Sequence, residues 1–379
     1  MHAFEFLFPL LILWTVQISG DNGKPVVYSY TAVCTAFFDE SGLQVGYEEH
    51  GKRGVIGRVP SKFPEISETV QTDSEMYIIE EVLGKGTGSA VYRATSQGVA
   101  DNDVAIKFQA YADDEQMNSV ATDFEVLNRT GIFGNLFPRA FYLSDVGSIV
   151  TPEGVQNLRY LVMELLGSSV WSFLRSNGYK LPMKTIASIG IQAVGILEDL
   201  HSLGIVHGDI HHENMIFARG NRDYDGLILS DRIKLGDYGK SSLYVNPTNH
   251  EHIEDIPRQI KEGRNMLFLS PYELALGAPS RREDIFRLME TLARMVDERG
   301  YSSVFKPFQQ NREALLNAKR TIPLVEIFPG VHPVFADLFE YSRSLGFEQV
   351  PDYSGMKQKF TSILKDNGIN NVNKIVIDV

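Results

Sequence analysis

Asp209 and Asn214 stand five positions apart, between the apolar pair Ile205-Val206 and the apolar run Met215-Ile216-Phe217. A polar stretch bounded in this way is a loop tethered at both ends by short strands, and it sets a carboxylate beside an amide. Phosphoryl transfer uses such a pair, the carboxylate to accept a hydroxyl proton and the amide oxygen to hold a magnesium ion. On spacing alone a structural loop also fits, and the rest of the chain has to decide.

A chain of 379 residues exceeds an average domain and suits either one two-lobed enzyme or two independent domains. With 43% hydrophobic residues it can build a large core, which removes disorder as the default. The net charge of −12, from 36 basic and 48 acidic residues, argues against a general nucleic-acid binder, which needs a basic face to neutralise phosphates. A small anion held at one site is untouched by that argument.

Residues 6–16 are apolar apart from Thr15, and the small pair Ser19-Gly20 precedes Asp21. That is the length and finish of a secretory signal peptide, and it is short for a transmembrane helix. A cleaved signal over residues 1–20 is expected, placing the chain in the secretory pathway without a membrane span. Glu5 and the lack of Lys or Arg ahead of the apolar run keep two alternatives open. These are an uncleaved anchor, or a gene start read too far upstream, which would make the protein cytoplasmic. Cys34 is the sole cysteine, so no intrachain disulfide can form. Asn128-Arg129-Thr130 is a glycosylation sequon that matters only on the secretory route.

Residues 21–75 read as an extension of uncertain order, with a strand at 26–30 and a basic pair at Lys52-Arg53. A strand at 76–79 leads into Leu83-Gly84-Lys85-Gly86-Thr87-Gly88-Ser89-Ala90-Val91-Tyr92, and a second strand at 104–108 follows a turn at 101–103. Helical sequence around 124–127 and strands at 140–143 and 159–163 come next. Ile186, Ile189, Ala193, Ile196, Leu197 and Leu200 then recur at three- and four-residue intervals as one apolar helix face. Ile285, Leu288, Met289, Leu292 and Val296 form another. The change from strand-rich to helix-rich sequence near residue 167 marks a boundary between lobes.

Gly84 and Gly86 would let backbone amides approach phosphate oxygens with no Cβ in the way, although an ordinary hairpin has the same look. Lys107 sits in the apolar strand Val104-Ala105-Ile106-Lys107-Phe108, where a lysine destabilises unless paired. A carboxylate and an anionic ligand are its natural partners, and Glu125 on the following helix is the candidate carboxylate. Asp237, in Leu235-Gly236-Asp237-Tyr238-Gly239, adds a second metal-binding carboxylate downstream of Asp209 and Asn214.

Taken together, Gly84-x-Gly86, Val104-Ala105-Ile106-Lys107, His207-x-Asp209 with Asn214, and Asp237-Tyr238-Gly239 resemble a eukaryotic protein kinase with its motifs in their usual order. Met163-Glu164-Leu165-Leu166-Gly167, Ser280-Arg281-Arg282-Glu283-Asp284, Tyr341-Ser342-Arg343-Ser344-Leu345 and Pro351-Asp352-Tyr353-Ser354 are similar to casein kinase I. His207-Gly208-Asp209 and Asp237-Tyr238-Gly239 look closer to the vaccinia-related kinases of the same superfamily. The resemblance covers roughly residues 77–364. It implies an α+β, bilobal fold, with a small β-rich N-lobe over 76–166, a larger helical C-lobe over 167–365 and a tail over 366–379.

The function it implies is transfer of the γ-phosphate of ATP to Ser/Thr hydroxyls of protein substrates, by a monomer using Mg²⁺. Gly84, Lys85, Gly86, Thr87, Gly88 and Ser89 would cover the phosphates. Val91, Ala105 and Ile216 would sandwich the adenine, with Met163 behind it and Glu164 and Leu166 offering backbone to its edge. Lys107, oriented by Glu125, would hold phosphate. Asn214 and Asp237 would ligate Mg²⁺, Asp209 would serve as base, and Asp284 would brace the loop from below.

Several positions depart from the pattern. Ser89 stands in place of a third glycine. Gly208 replaces an Arg that in many kinases reads a phosphate on the activation segment. His211 occupies the place of the Lys that neutralises the transferring phosphoryl group, and an imidazole carries full charge only when protonated. Arg129 takes an apolar position. Arg264 is a stand-in for the arginines with which casein kinase I reads a phosphorylated substrate. Residues 219–226 form a polar hairpin tip, read as a solvated loop or a partner contact. These changes leave a second expectation beside the active kinase: a pseudokinase that binds nucleotide or protein without turnover.

Overall fold

The computed structural model describes residues 8–19, 25–38, 44–49, 52–55, 63, 67, 69–85, 89–97, 103–111, 119–145, 147–151, 154–220, 222–224, 226–257 and 266–377. The chain forms two compact units, one of residues 1–100, 106–117 and 144–160, the other of residues 101–105, 118–143 and 161–379.

The first unit is built of strands. β1 (Phe8–Ser19), β2 (Pro25–Phe38), β3 (Gln44–Glu49) and β4 (Lys52–Val55) form an antiparallel sheet in sequence order. The stretch expected as the core of a signal peptide is thus strand β1, and the strand expected at 26–30 lies within β2. A seven-stranded sheet follows, from β5 (Thr69–Gln71), β6 (Met76–Lys85), β7 (Ser89–Ser96), β8 (Asp103–Tyr111), β9 (Ala140–Leu143), β10 (Gly147–Thr151) and β11 (Gly154–Glu164). Its order is β10-β11-β8-β7-β6-β5, with β9 also on β11, and both β8 and β11 run from one unit into the other.

Alternation explains these strands. β7 buries Ala90, Tyr92, Ala94 and Ser96, every second residue, whereas β8 is buried continuously from Val104 to Phe108 because it lies inside the sheet. Tyr92 meets Phe108 edge-on at 5.7 Å, and Phe108 meets Tyr160 at 5.4 Å.

The second unit is largely helical. α1 (Ser119–Thr130), α2 (Val170–Ser176) and α3 (Met183–Ser202) precede the short strands β12 (Ile205–Val206), β13 (Met215–Phe217), β14 (Arg222–Tyr224), β15 (Leu227–Leu229), β16 (Ile233–Leu235) and β17 (Ser242–Leu243). Then come α4 (Pro271–Leu274), α5 (Arg281–Val296), α6 (Glu298–Phe305), α7 (Arg312–Thr321), α8 (Leu324–Ile327), α9 (Pro333–Ser344) and α10 (Tyr353–Asp366). All six residues of the first predicted helix face are buried in α3, and Gly190 lies so close to α10 that a Cβ would meet the Phe360 ring at 2.7 Å. α1 joins this unit rather than the strands because Val120, Val126 and Leu127 are part of its apolar core. No helix among the described residues is long and apolar enough to cross a membrane.

Two segments are more ordered than the sequence suggests. The hairpin of β14 and β15 folds back on residues 167–168: the Ser168 amide donates to the Ile228 carbonyl at 2.9 Å, and Tyr224 meets Phe173 at 6.1 Å. Gly167 permits this, since a Cβ would lie 2.4 Å from the Ile228 oxygen. The expected tail is strapped to α3 beyond α10. Thr185 donates to the Val376 carbonyl at 2.7 Å, the Val376 amide donates to Ser188 Oγ at 3.0 Å, and Ile375 between these groups and Asp231 is buried. The fold is α+β, with a strand-built unit and a helical unit in the arrangement of elements expected for a protein kinase.

Candidate active site

β12 and β13 hold the two ends of the Asp209–Asn214 loop. β13 pairs with β16, Met215 opposite Leu235, which sets Gly236 and Asp237 beside the loop. The Asn214 amide group donates to the Asp209 carbonyl at 2.9 Å, and the Gly236 amide donates to the Asn214 carbonyl at 2.9 Å. Because its NH₂ is committed in this way, Asn214 presents its Oδ1 as the remaining end. His207, wholly buried, donates from Nε2 to the Gly236 carbonyl at 3.1 Å and accepts at Nδ1 from the Asp209 amide at 3.3 Å. Burial pushes its imidazole below the ordinary value, against the nearby carboxylates of Asp284, Asp209 and Asp237.

Asp284, in the first turn of α5, is fixed beneath the loop. Its carboxylate accepts the His207 amide at 2.6 Å and the Gly208 amide at 2.9 Å, together with His201 Nε2 at 3.0 Å. His201 in turn accepts at Nδ1 from the Tyr353 hydroxyl at 2.6 Å. Burial alone raises the Asp284 carboxyl, but the His201 bond, the two imidazoles and the Gly208 amide outweigh it and hold it low.

Asp209 is buried yet surrounded by basic groups. Lys240 Nζ lies 2.6 Å and His211 Nε2 3.6 Å from its Oδ2, and Arg287 Nη1 lies 3.6 Å from its Oδ1. Burial raises the carboxyl, but the nearby His211 imidazole and the Lys240 and Arg287 charges prevail, so it stays far below the usual carboxylate range. Arg287 is buried in α5 and bound through two nitrogens to Glu273 at 2.8 and 2.9 Å, a planar fork that aims its third nitrogen at Asp209. Glu273 also closes a capping box with Ser270 at the start of α4.

Asp237 is exposed and adopts a left-handed backbone, φ 61°, which few residues other than glycine tolerate and which Asp accepts better than most. The Tyr238 amide that follows donates to Asp123 Oδ1 on α1 at 2.5 Å. Asp123 is buried, whereas Glu125, the carboxylate expected to serve the site, is exposed on the other face of the helix. Arg129, whose position seemed apolar, reaches the Leu203 carbonyl at the end of α3 at 2.9 Å, and the sequon hydroxyl of Thr130 is buried against the Leu127 carbonyl.

Met163 packs on the apolar core, and Glu164 is committed through its side chain: Lys234 Nζ holds both oxygens at 2.8 and 2.9 Å, and the Arg139 amide donates at 3.1 Å. Leu166 follows, half-buried, and Ile216 on β13 lies beside Gly236. In the first unit, Gly84 and Lys85 end β6 and are exposed, while Ser89 and Val91 on β7 are half-buried and register with that end, Gly84 opposite Val91. A Cβ at Gly84 would have no described heavy atom within 4 Å. Ala105 and Lys107 on β8 are buried. Gly86, Thr87, Gly88 and Arg264 lie outside the described residues.

Sequence reasoning missed Asp123, Lys240, Arg287 and Glu273. Asp123 shares a three- and four-residue spacing with the buried Val120, Val126 and Leu127, and Ser270-Pro271-Tyr272-Glu273 reads as a capping box, so both left a signal. Lys240 and Arg287 left none.

With α1, the Asp209–Asn214 loop and Asp237 arranged in this way, fold and site define a protein kinase domain. Residues 77–259 match the family profile described as Protein kinase domain. The chain is 27% identical over 302 residues to casein kinase I homolog 1 of Saccharomyces cerevisiae, covering 77% of this chain and 51% of that relative. It is 25% identical over 311 residues to casein kinase I homolog RAG8 of Kluyveromyces lactis, at 80% and 54% coverage, and 26% identical over 299 residues to casein kinase I homolog 1 of Schizosaccharomyces pombe, at 76% and 61%. The chain spans about half the length of the curated relatives it matches. Among protein kinases it is casein kinase I-like.

Proposed function

We propose that the protein is an active serine/threonine kinase that uses ATP with Mg²⁺ and acts on protein substrates. The observation that carries this reading is the placement of Asp209: its carboxylate lies among Lys240, His211 and Arg287, and its backbone carbonyl accepts the Asn214 amide, which sets a carboxylate and an amide side by side as the transfer requires. Asn214 and Asp237 offer oxygen donors that suit Mg²⁺, and no cluster of three or more His, Cys, Asp or Glu among the described residues forms a metal cage of its own. Two protein ligands completed by substrate phosphates and water are the usual Mg²⁺ arrangement. When bound, Mg²⁺ would neutralise phosphate charge. Among the described residues no packing contact requires glycine at 84, which leaves that position free for backbone approach to a phosphate. Asp123 replaces Glu125 as the α1 carboxylate assigned to the site.

The test is incorporation of label from ATP into an acidic protein substrate by the full chain beside Asp209→Asn. Loss of a general base lowers the rate by about 10²–10⁴-fold, and equal incorporation by both proteins would reject the assignment. A pseudokinase is the second reading, favoured by one observation: position 211 carries an imidazole where kinases place a lysine. It expects nucleotide to raise the melting temperature with no transfer.

A further inference from the structure

We infer that Lys240 supplies the positive charge that neutralises the phosphoryl group in transit, the task that a lysine at position 211 performs in other Ser/Thr kinases. The inference rests on the kinase reading above. In the reaction, the substrate hydroxyl oxygen bonds to the γ-phosphorus, the bond from that phosphorus to the β–γ bridging oxygen breaks, and ADP leaves. The hydroxyl proton passes to Asp209. Charge spreads over the three oxygens of the group being transferred, so a cation at the base is worth most at that moment.

Among the described residues, three basic groups lie within 4.0 Å of the Asp209 carboxylate. Arg287 is buried behind it and held by Glu273, so its charge cannot move forward. His211 carries full charge only when protonated. Lys240 alone combines a full charge with exposure: its side chain is 52% exposed, and its ammonium lies 2.6 Å from Asp209 Oδ2, the oxygen that His211 Nε2 approaches at 3.6 Å. An ammonium has three donors, and the bond to Asp209 uses one.

The backbone shows how Lys240 comes to be there. It follows Asp237-Tyr238-Gly239 directly. The Ser241 amide donates to the Tyr238 carbonyl at 2.8 Å, and the Ser241 hydroxyl donates to the His207 carbonyl at 3.2 Å, which presses this turn onto the loop. Gly208 allows the approach. Its φ is 73°, and a Cβ there would stand 2.8 Å from the Lys240 carbonyl oxygen. Two departures from the kinase pattern thus share one cause. Gly208 clears room for the Lys240 backbone, and Lys240 sets an ammonium beside the imidazole that stands at 211.

The experiment compares the full-length wild type with Lys240→Ala, Lys240→Arg and the double variant Lys240→Ala/His211→Lys. Transfer from labelled ATP to an acidic protein is measured, together with affinity for Mg-ADP with and without aluminium fluoride, which mimics the group in transit. Lys240→Ala should lower kcat by about 10²–10³-fold, leave KM for ATP and the Mg-ADP affinity almost unchanged, and abolish the tightening caused by aluminium fluoride. Lys240→Arg should keep most of the activity. The double variant should recover at least about ten-fold of the loss, a tenfold step being one transition-state charge contact only partly restored. That rescue separates charge from support, because a lysine on the loop cannot hold the turn at 240 in place. Unchanged or faster transfer by Lys240→Ala, or no recovery in the double variant, overturns the assignment. Should the wild type transfer no better than Asp209→Asn, the kinase reading fails, and the aluminium fluoride arm still judges Lys240. Tightening that is absent from the wild type, or equal with and without Lys240, refutes it.

Discussion

On α1, two acidic residues two positions apart meet opposite surroundings. Asp123 is buried and accepts the Tyr238 amide, while Glu125 faces solvent. Asp123→Ala should leave that buried amide without a partner and cost about 1–3 kcal/mol, whereas Glu125→Ala should stay within about 0.5 kcal/mol of the wild type. Urea unfolding of the two variants checks this, and equal losses would show that the burial pattern misassigns the carboxylates. Glu125 attracts attention in the sequence because Glu is the usual acidic residue of that helix in the family it resembles. Periodicity is the better guide, since Val120, Asp123, Val126 and Leu127 fall on one face. Lys240 is different. Its closeness to Asp209 depends on a glycine at 208 and a turn after Gly239, and neither spacing nor composition announces a tertiary contact of that kind.

Three helices meet at one carboxylate beneath the loop. Tyr353 at the start of α10, His201 at the end of α3 and Asp284 in α5 form a chain of hydrogen bonds that ends on the amides of His207 and Gly208. The motif around residues 351–354, legible only as a family resemblance, therefore has a physical task in steadying the loop. Asp284→Asn puts a donor against these amides and should cost about 3–5 kcal/mol. The pH dependence follows from the same groups. His207 is pushed below its ordinary 6.5, so the folded state binds fewer protons and the stability it permits is full above 6.5 and lost as pH falls through its lowered value. Asp209 and Asp284 are held below 3.8, so their contribution is full above 3.8 and lost as pH falls further. The urea midpoint should decline gently below pH 6.5 and steeply below 3.8. A midpoint flat from pH 7 to 5 would contradict the buried neutral His207.

At the scale of the molecule, the helices and the paired strands around the glycine turn were readable because each has one periodic apolar face or alternation. The boundary near residue 167 marks a change of composition, but α1 and β9 group with the helical unit through their core contacts. The strap beyond α10 carried no periodic signal, being short and mixed in polarity. Ile375→Ala should nonetheless cost about 2–5 kcal/mol, read as a lower urea midpoint of the full chain, and a change under 1 kcal/mol would show the strap to be dispensable. Thr185 and Val376 are bonded across 191 positions. A helix from the middle of the chain must therefore wait for residues made nearly two hundred codons later before the bonds of Thr185 and Ser188 to Val376 can form. Until then Thr185 and Ser188 lack the partners that the strap brings, and closure of the strap is a late step in the birth of the protein rather than an ornament on its finished form.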